Sequence, residues 1–383
     1  MSDARRARNE GGSISRPRID RSGTPAWRWG SPLPLGPVLR AYVALSAVLG
    51  LLLVLAPPAD RADWTPRTGP VALTWSPPAC GDATHACRDI RLRDTGVNQT
   101  PQLDPDVDYR IHLPRYWALV GGLQIRGGRN VQIRGGQIDL KTPCDGSSAA
   151  CHGINIAKPS PGEVYIEGVY IRNPDPTHSR GTGDGIDVDL RPGANANDIV
   201  LQNVRIEGIA GCDPRQPASH ADVLQIYRAP EANIRIDRLT GTTDCQGLQL
   251  DPDLAWTMDG ATARSQTLRR VNIDVLPNPH LGRRNRYAFW FTYGGGGVQC
   301  LAAPTSLVEV WAREPDGTLA AESIWPDTDA KHRCRSVWDV RARQSSLQGV
   351  PTVTGVIRAG RPGRDFVPVG GNVGLEYKPP RSR

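Results

Sequence analysis

The chain has 383 residues, of which 39% are hydrophobic and only 6% aromatic, with 41 Gly and 34 Pro. That is enough for one large domain or two ordinary ones, and it suits many short strands and turns better than long packed helices. The net charge of +7 is concentrated at the start, where residues 1–40 hold eight Arg against Asp3, Glu10 and Asp20; the remainder is close to neutral and offers no basic nucleic-acid surface.

From Ala41 to Ala56 the run AYVALSAVLGLLLVLA carries no charge, and Val38 and Leu39 extend it across Arg40. A spanning helix needs roughly 17 apolar residues or more, and Arg40 can snorkel to the headgroups. Upstream Arg and the Pro57-Pro58 stop predict a signal anchor: a cytoplasmic basic tail at 1–37 and a single transmembrane helix at 38–56. A cleaved signal peptide is the competing reading, because the apolar run is short enough for one. Against it stand the long basic stretch ahead of the run and the absence of a clean A-x-A in APPADRAD. Either way the body is exported, which places it in the periplasm or extracellular space beside the cytoplasmic membrane.

All eight Cys (80, 87, 144, 151, 212, 245, 300 and 334) follow the apolar run. An even count confined to the exported part reads as disulfides. Cys80/Cys87 and Cys144/Cys151 share one short spacing, and Cys212/Cys245 and Cys300/Cys334 could join neighbouring coils. Other connectivities stay open. No C-x2-C occurs, which disfavours a zinc site.

Internal repetition is the strongest signal. NVQIRGGQI (130–138), EVYIEGVYI (163–171), DIVLQNVRI (198–206), NIRIDRLTG (233–241) and SQTLRRVNI (265–273) align apolar residues at fixed offsets. Val131, Val164, Ile199 and Ile234 form one column; Ile133, Ile166, Leu201, Ile236 and Leu268 form another. Two period-2 strands meet in each unit at a break, at Gly135, Gly168 and Asn203 in the first three. A second series interleaves: HGINI (152–156), DGIDV (184–188), DVLQI (222–226) and QGLQL (246–250), with RYAFWF (286–291) as a candidate continuation. No helical periodicity separates them. Ankyrin and tetratricopeptide repeats need helices, leucine-rich repeats need regular Leu, and propeller blades are longer. The prediction is an all-β solenoid in which each rung buries its neighbour's apolar face.

On these residues the chain resembles the pectin-lyase-like right-handed parallel β-helix proteins. The resemblance covers about residues 115–295; it implies a linker and N-terminal cap at 57–114 and a closing segment at 296–383. That fold carries lyases, hydrolases, epimerases and inert proteins alike, so it leaves the reaction open.

Strands of neighbouring rungs lie ~4.8 Å apart, so one column brings distant residues together. Aligning Ile154, Ile186, Leu224 and Leu248 gives the outward column Asn155, Asp187, Gln225 and Gln249. Two positions further on come Ala157, Asp189, Tyr227 and Asp251. Two before the alignment point come His152, Asp184, Asp222 and Gln246, which face outward only if the turns at Gly153, Gly185 and Gly247 rotate them out. The Asn/Asp/Gln column suits sugar hydroxyls, but amide ladders also stabilise solenoids, and both readings stand. Two carboxylates one rung apart repel unless one is protonated or a cation intervenes, which marks Asp184 and Asp222 as catalytic candidates.

GTGDGIDV (181–188) resembles the N-T-D-G-I-D segment of polygalacturonases, whose first Asp is catalytic; the match falls on Asp184. Asp222 in SHADVLQIY (219–227) corresponds to that family's paired-Asp segment, with its pair absent. The family's G-H-G and R-I-K segments are missing, and Cys151-His152-Gly153 is a poor substitute because it precedes Asp184. A β-eliminating lyase is the other reaction implied: His220 as base, Arg180 or Arg228 holding a uronate, and Ca²⁺ as a candidate cofactor on Asp184, Asp187 and Asp222. The reading is thus a membrane-anchored exported protein acting on polysaccharide, as hydrolase or lyase on uronic-acid-containing chains. Asp184, Asp222 and His220 are the catalytic candidates; Asp187, Gln225, Tyr227, Arg180, Arg228, Asn155 and Gln249 are the substrate-binding ones. The alternative is a catalytically silent glycan-binding or envelope-structural protein, which the incomplete motifs favour.

Overall fold

A computed structural model of the chain describes residues 71–93, 99–140, 152–157, 162–175, 183–190, 198–212, 221–229, 232–250, 264–278, 287–291, 303–317, 319, 323–325, 335–350 and 352–380. The basic tail and the apolar run lie outside these residues. Among the described residues no helix is long and apolar enough to cross a membrane. All strands belong to one compact unit, Ala62–Arg383.

Among the described residues the unit is built from strands in a 15-stranded and an 8-stranded sheet, with a short 3-10 turn at Gly374–Glu376. Along the first sheet the parallel neighbours are Cys87–Arg91, Asp108–His112, Asn130–Arg134, Glu163–Glu167, Asp198–Ile209, Asn233–Thr243, Ser265–Val275 and Thr305–Arg313. Along the second they are Gln102–Leu103, Leu123–Gly127, Ile154–Ala157, Ile186–Asp189, Asp222–Arg228, Gln246–Gln249, Phe289–Trp290 and Ile324–Trp325. The chain passes from one sheet to the other and returns one strand further on, an arrangement compatible with a parallel β-helix. The ladder extends past both ends of the predicted 115–295. Only near the C-terminus does it turn antiparallel, through Gln344–Gln348 and Arg335–Asp339.

The register follows the apolar columns. Val131 pairs with Val164, Val164 with Ile199 and Ile199 with Ile234; Ile236 pairs with Leu268. In the second sheet Ile154, Ile186, Leu224, Leu248 and Phe289 are partners in turn, so RYAFWF does continue the series. These columns meet in one buried core cluster. Each fully buried Ile, Leu or Val stabilises the fold by about 1.5–3 kcal/mol. A one-residue slip would turn a whole column out to water, and this pins the register.

The break inside each long strand is a column of left-handed residues: Gly135, Gly168, Asn203, Arg238, Arg270 and Glu309, with φ between 51° and 69°. Glycine takes that conformation freely, whereas Arg and Glu accept a cost of about 1–2 kcal/mol. Stacking against the rung before forces the same bend on each rung after it. Two of the predicted disulfides form, Cys80–Cys87 and Cys212–Cys245, the second joining adjacent rungs. Cys144, Cys151, Cys300 and Cys334 lie outside the described residues.

Candidate functional site

On the outward side of the second sheet, Gln124, Asn155, Asp187, Gln225, Gln249 and Trp290 are register partners in sequence, and the backbone register continues from Trp290 to Trp325. The amides are chained: Gln124 Nε2 donates to Asn155 Oδ1 at 2.8 Å, Asn155 Nδ2 donates to Asp187 Oδ2, and Gln225 Nε2 donates to Gln249 Oε1 at 3.2 Å. The column thus holds two hydrogen-bonded runs, Gln124–Asn155–Asp187 and Gln225–Gln249, with Trp290 next in register. Gln124 and the two Trp escaped the sequence reading, although RYAFWF had been aligned with the series.

Beside this ladder, at the turn entering each strand, His152, Asp184 and Asp222 stack. Gly153, Gly185, Val223 and Gly247 explain how they come to the outer side. A Cβ on Gly153 would lie 2.6 Å from Ile171 Cγ2, and one on Gly185 would lie 2.4 Å from Ile206 Cγ2. These glycines thus turn their missing side chains into the core, against residues of the first sheet. The residue before each is rotated to the side that Asp187 occupies.

His152 Nδ1 lies 2.9 Å from Asp184 Oδ2 and 3.1 Å from the Asp184 backbone N. The Asp222 backbone N–H donates to Asp184 Oδ1 at 2.8 Å. Burial pulls the His152 pKa down, but the hydrogen bond to Asp184 and the charges of Asp184, Asp187 and Asp222 outweigh it and hold it above the ordinary value. Asp187 is pushed up to about 7, first by burial and then by the charge of Asp184. Both shifts favour the protonated forms of His152 and Asp187, which eases the repulsion expected between stacked carboxylates.

Comparison with protein-family models, curated proteins and solved structures found no match. The site therefore rests on its own geometry.

Asp184 and Asp222 are on adjacent rungs as expected, but deeply covered, at 2% and 0% exposure. Asp187 is 8% exposed. Tyr227 is exposed, but it is the extra residue of a β-bulge: Val188 pairs with Ile226 and Asp189 with Arg228, so Asp189 and Tyr227 are not register partners. His220 and Arg180 lie outside the described residues, as does the Arg228 side chain. Among the described residues no three His, Cys, Asp or Glu side chains are placed to hold a metal ion. Asp184 and Asp187 instead accept hydrogen bonds from protein groups, so they do not form a ready Ca²⁺ cage. His152 is the residue that sequence reasoning set aside. It had been placed in the right column and then discounted for preceding Asp184, although chain order is irrelevant between stacked rungs.

Proposed function

We propose that this chain is an exported right-handed β-helix protein of the pectin-lyase-like type, tethered by its apolar segment, that hydrolyses polysaccharide. The observation that carries this is the column from Gln124 to Gln249 running into Trp290, beside the hydrogen-bonded pair of His152 and Asp184 and the raised carboxyl of Asp187. Amides and carboxylates on a rigid backbone suit sugar hydroxyls, and an indole face suits the apolar face of a sugar ring. The cystine links between Cys80 and Cys87 and between Cys212 and Cys245 support an oxidising compartment.

Hydrolysis needs a carboxylic acid that still holds its proton near neutral pH and gives it to the departing glycosidic oxygen. Asp187, pushed up to about 7, suits that role. Water attacks the anomeric carbon as the glycosidic C–O bond breaks, and the proton it loses replaces the one that Asp187 gives up. The chain of donors from His152 to the Asp222 N–H fixes the Asp184 carboxyl. Elimination from a uronide would need a base such as His220, which lies outside the described residues.

A second reading, a glycan-binding protein without catalysis, is favoured by the burial of Asp184 and Asp222. The purified full-length chain should be incubated with a panel of acidic and neutral glycans. New reducing ends, lost about 10²-fold or more in Asp187→Asn and in Asp184→Asn, are the expected result. Unsaturated ends would establish the lyase instead, and binding without new ends the silent protein.

A further inference from the structure

A second, strongly basic region lies on the other sheet, at the rungs nearest the start of the ladder. Two adjoining clefts of about 520 and 590 Å³ both touch Arg91, His112 and Arg115. Arg110, Arg134 and Lys378 line the first cleft, and Arg93 and Trp117 the second. Arg91 is the register partner of His112, and Arg110 lies between Asp89 and Gln132, so Arg91 and Arg110 stand on neighbouring strands of one outer face. The C-terminal segment Gly374–Pro379 forms a wall of the first cleft.

The carboxylates nearby do not balance these cations. Asp89 is paired with His112 at 2.5 Å, and Glu167 with Arg134 at 3.3 Å. Glu376 lines the first cleft. Arg91, Arg93, Arg110 and Arg115 are exposed, and Asp89, the register partner of Arg110, feels the charge of both Arg110 and Arg91 while bonding to His112. A body close to neutral overall has gathered more cations than carboxylates in two concave sites.

We infer that these clefts bind a segment of an acidic, carboxylate-bearing glycan, separately from the ladder on the second sheet. Guanidinium forks take carboxylates bidentately, and here several of them line two adjoining clefts. A linear chain with a carboxylate on successive sugars can meet several of them at once, whereas a compact anion meets one or two. Trp117, 55% exposed, and Tyr116, 76% exposed, offer ring faces for sugars beside the cations. The cations lie within clefts, which a planar bilayer surface enters poorly. The inference rests on the glycan reading above only in naming sugar as the carrier of the carboxylates; the anion site stands on its own residues.

The test uses the full-length chain in neutral detergent and isothermal titration with an oligogalacturonate, a malto-oligosaccharide of equal length, inorganic phosphate and phosphatidylglycerol vesicles. Expected is oligogalacturonate binding that weakens with added salt, no malto-oligosaccharide binding, and a loss of about tenfold or more in Arg91→Glu/Arg110→Glu. Both residues are exposed, so the variant should keep the wild-type circular dichroism. Unchanged oligogalacturonate affinity in that variant would overturn the proposal, as would a response to vesicles or phosphate alone. Asp187→Asn separates the two sites. If it abolishes turnover while the double Arg variant binds normally, the ladder reading stands and the cleft fails; if no glycan is cleaved but the Arg variant loses binding, the reverse holds.

Discussion

His152 and Asp184, 32 residues apart in sequence, meet across a single rung step with Nδ1 2.9 Å from Oδ2. Protonated, the imidazole donates to the carboxylate; neutral with the proton on Nε2, it can accept the Asp184 backbone N–H instead. Either state holds the residue in place, and both depend on the same nitrogen. His152→Ala should leave Asp184 Oδ1 with the Asp222 N–H as its donor, remove the imidazole from Oδ2, and cost about 1–3 kcal/mol of stability. If the cluster is catalytic, turnover should fall more than folding does, about 10²-fold, with partial rescue in His152→Asn. Urea denaturation run beside a reducing-end assay separates the two effects. Equal loss of activity in the Ala and Asn variants, with stability intact, would speak against a positioning role.

Asp187 sets a pH dependence whose sign is fixed. Its carboxyl is pushed up from 3.8 to about 7, so the folded chain keeps a proton that the unfolded chain releases. The stability linked to that proton is complete below about pH 4, declines as pH rises, and is gone once pH passes about 7. His152 acts in the same direction over a higher window: its raised pKa adds stability below 6.5 that is lost as pH climbs through the raised value. Thermal unfolding from pH 4 to 9 should therefore show declining stability. Asp187→Asn should flatten the lower part by an amount on the order of a few kcal/mol, leaving the His152 part. A stability profile in Asp187→Asn that matches wild type would show that the carboxyl is ionised throughout.

Much of this arrangement was legible in the residues. The alignment of Val131, Val164, Ile199 and Ile234 is the observed register because a buried column tolerates no slip. The breaks at Gly135, Gly168 and Asn203 were visible because those residues accept positive φ at little cost. Their continuation at Arg238, Arg270 and Glu309 was not, since neither Arg nor Glu signals a left-handed bend; only the register imposed by the rung before reveals it. Tyr227 was misaligned for a related reason, as a bulge changes the count without changing composition. The retained proton on Asp187 depends on burial, which no column alignment measures.

The rotation of the candidate site outward hangs on Gly185. A Cβ there would lie 2.4 Å from Ile206 Cγ2 and 2.6 Å from the Val223 carbonyl oxygen, and the backbone atom cannot swing aside. Gly185→Ala should cost about 1–3 kcal/mol by overpacking and should displace Asp184 and Asp187 together. Gly317→Ala is the control for loss of glycine: it has positive φ but nothing within 4 Å of an added Cβ. Melting temperatures of the two variants should differ, with Gly185→Ala the lower. If they match, close packing at the turn does not set the site.

The C-terminal segment gives a last prediction, because it meets polar groups that the rungs leave unsatisfied. Arg205, only 6% exposed at its side chain, donates to the Val367 carbonyl as well as to Glu207. Asn203 Nδ2 donates to the Asn372 carbonyl, the Val367 N–H donates to Thr240 Oγ1 at 3.0 Å, and the Gly374 N–H donates to the Gly168 carbonyl at 2.8 Å. The Tyr377 ring covers Gly135 and Gly168 so closely that a Cβ on either would lie within 2.5 Å of it. Ending the chain before Phe366 would strip partners from several groups on four successive rungs at once, each worth about 1–3 kcal/mol when left buried. Water will reach some of these groups, so the loss should fall short of the sum, yet it should exceed that of any single substitution above. The same truncation removes the wall containing Tyr377 and Lys378 from the basic cleft, so acidic-glycan binding should weaken even in molecules that remain folded. A truncated chain with wild-type melting temperature and wild-type oligogalacturonate affinity would show that the segment merely lies on the sheet.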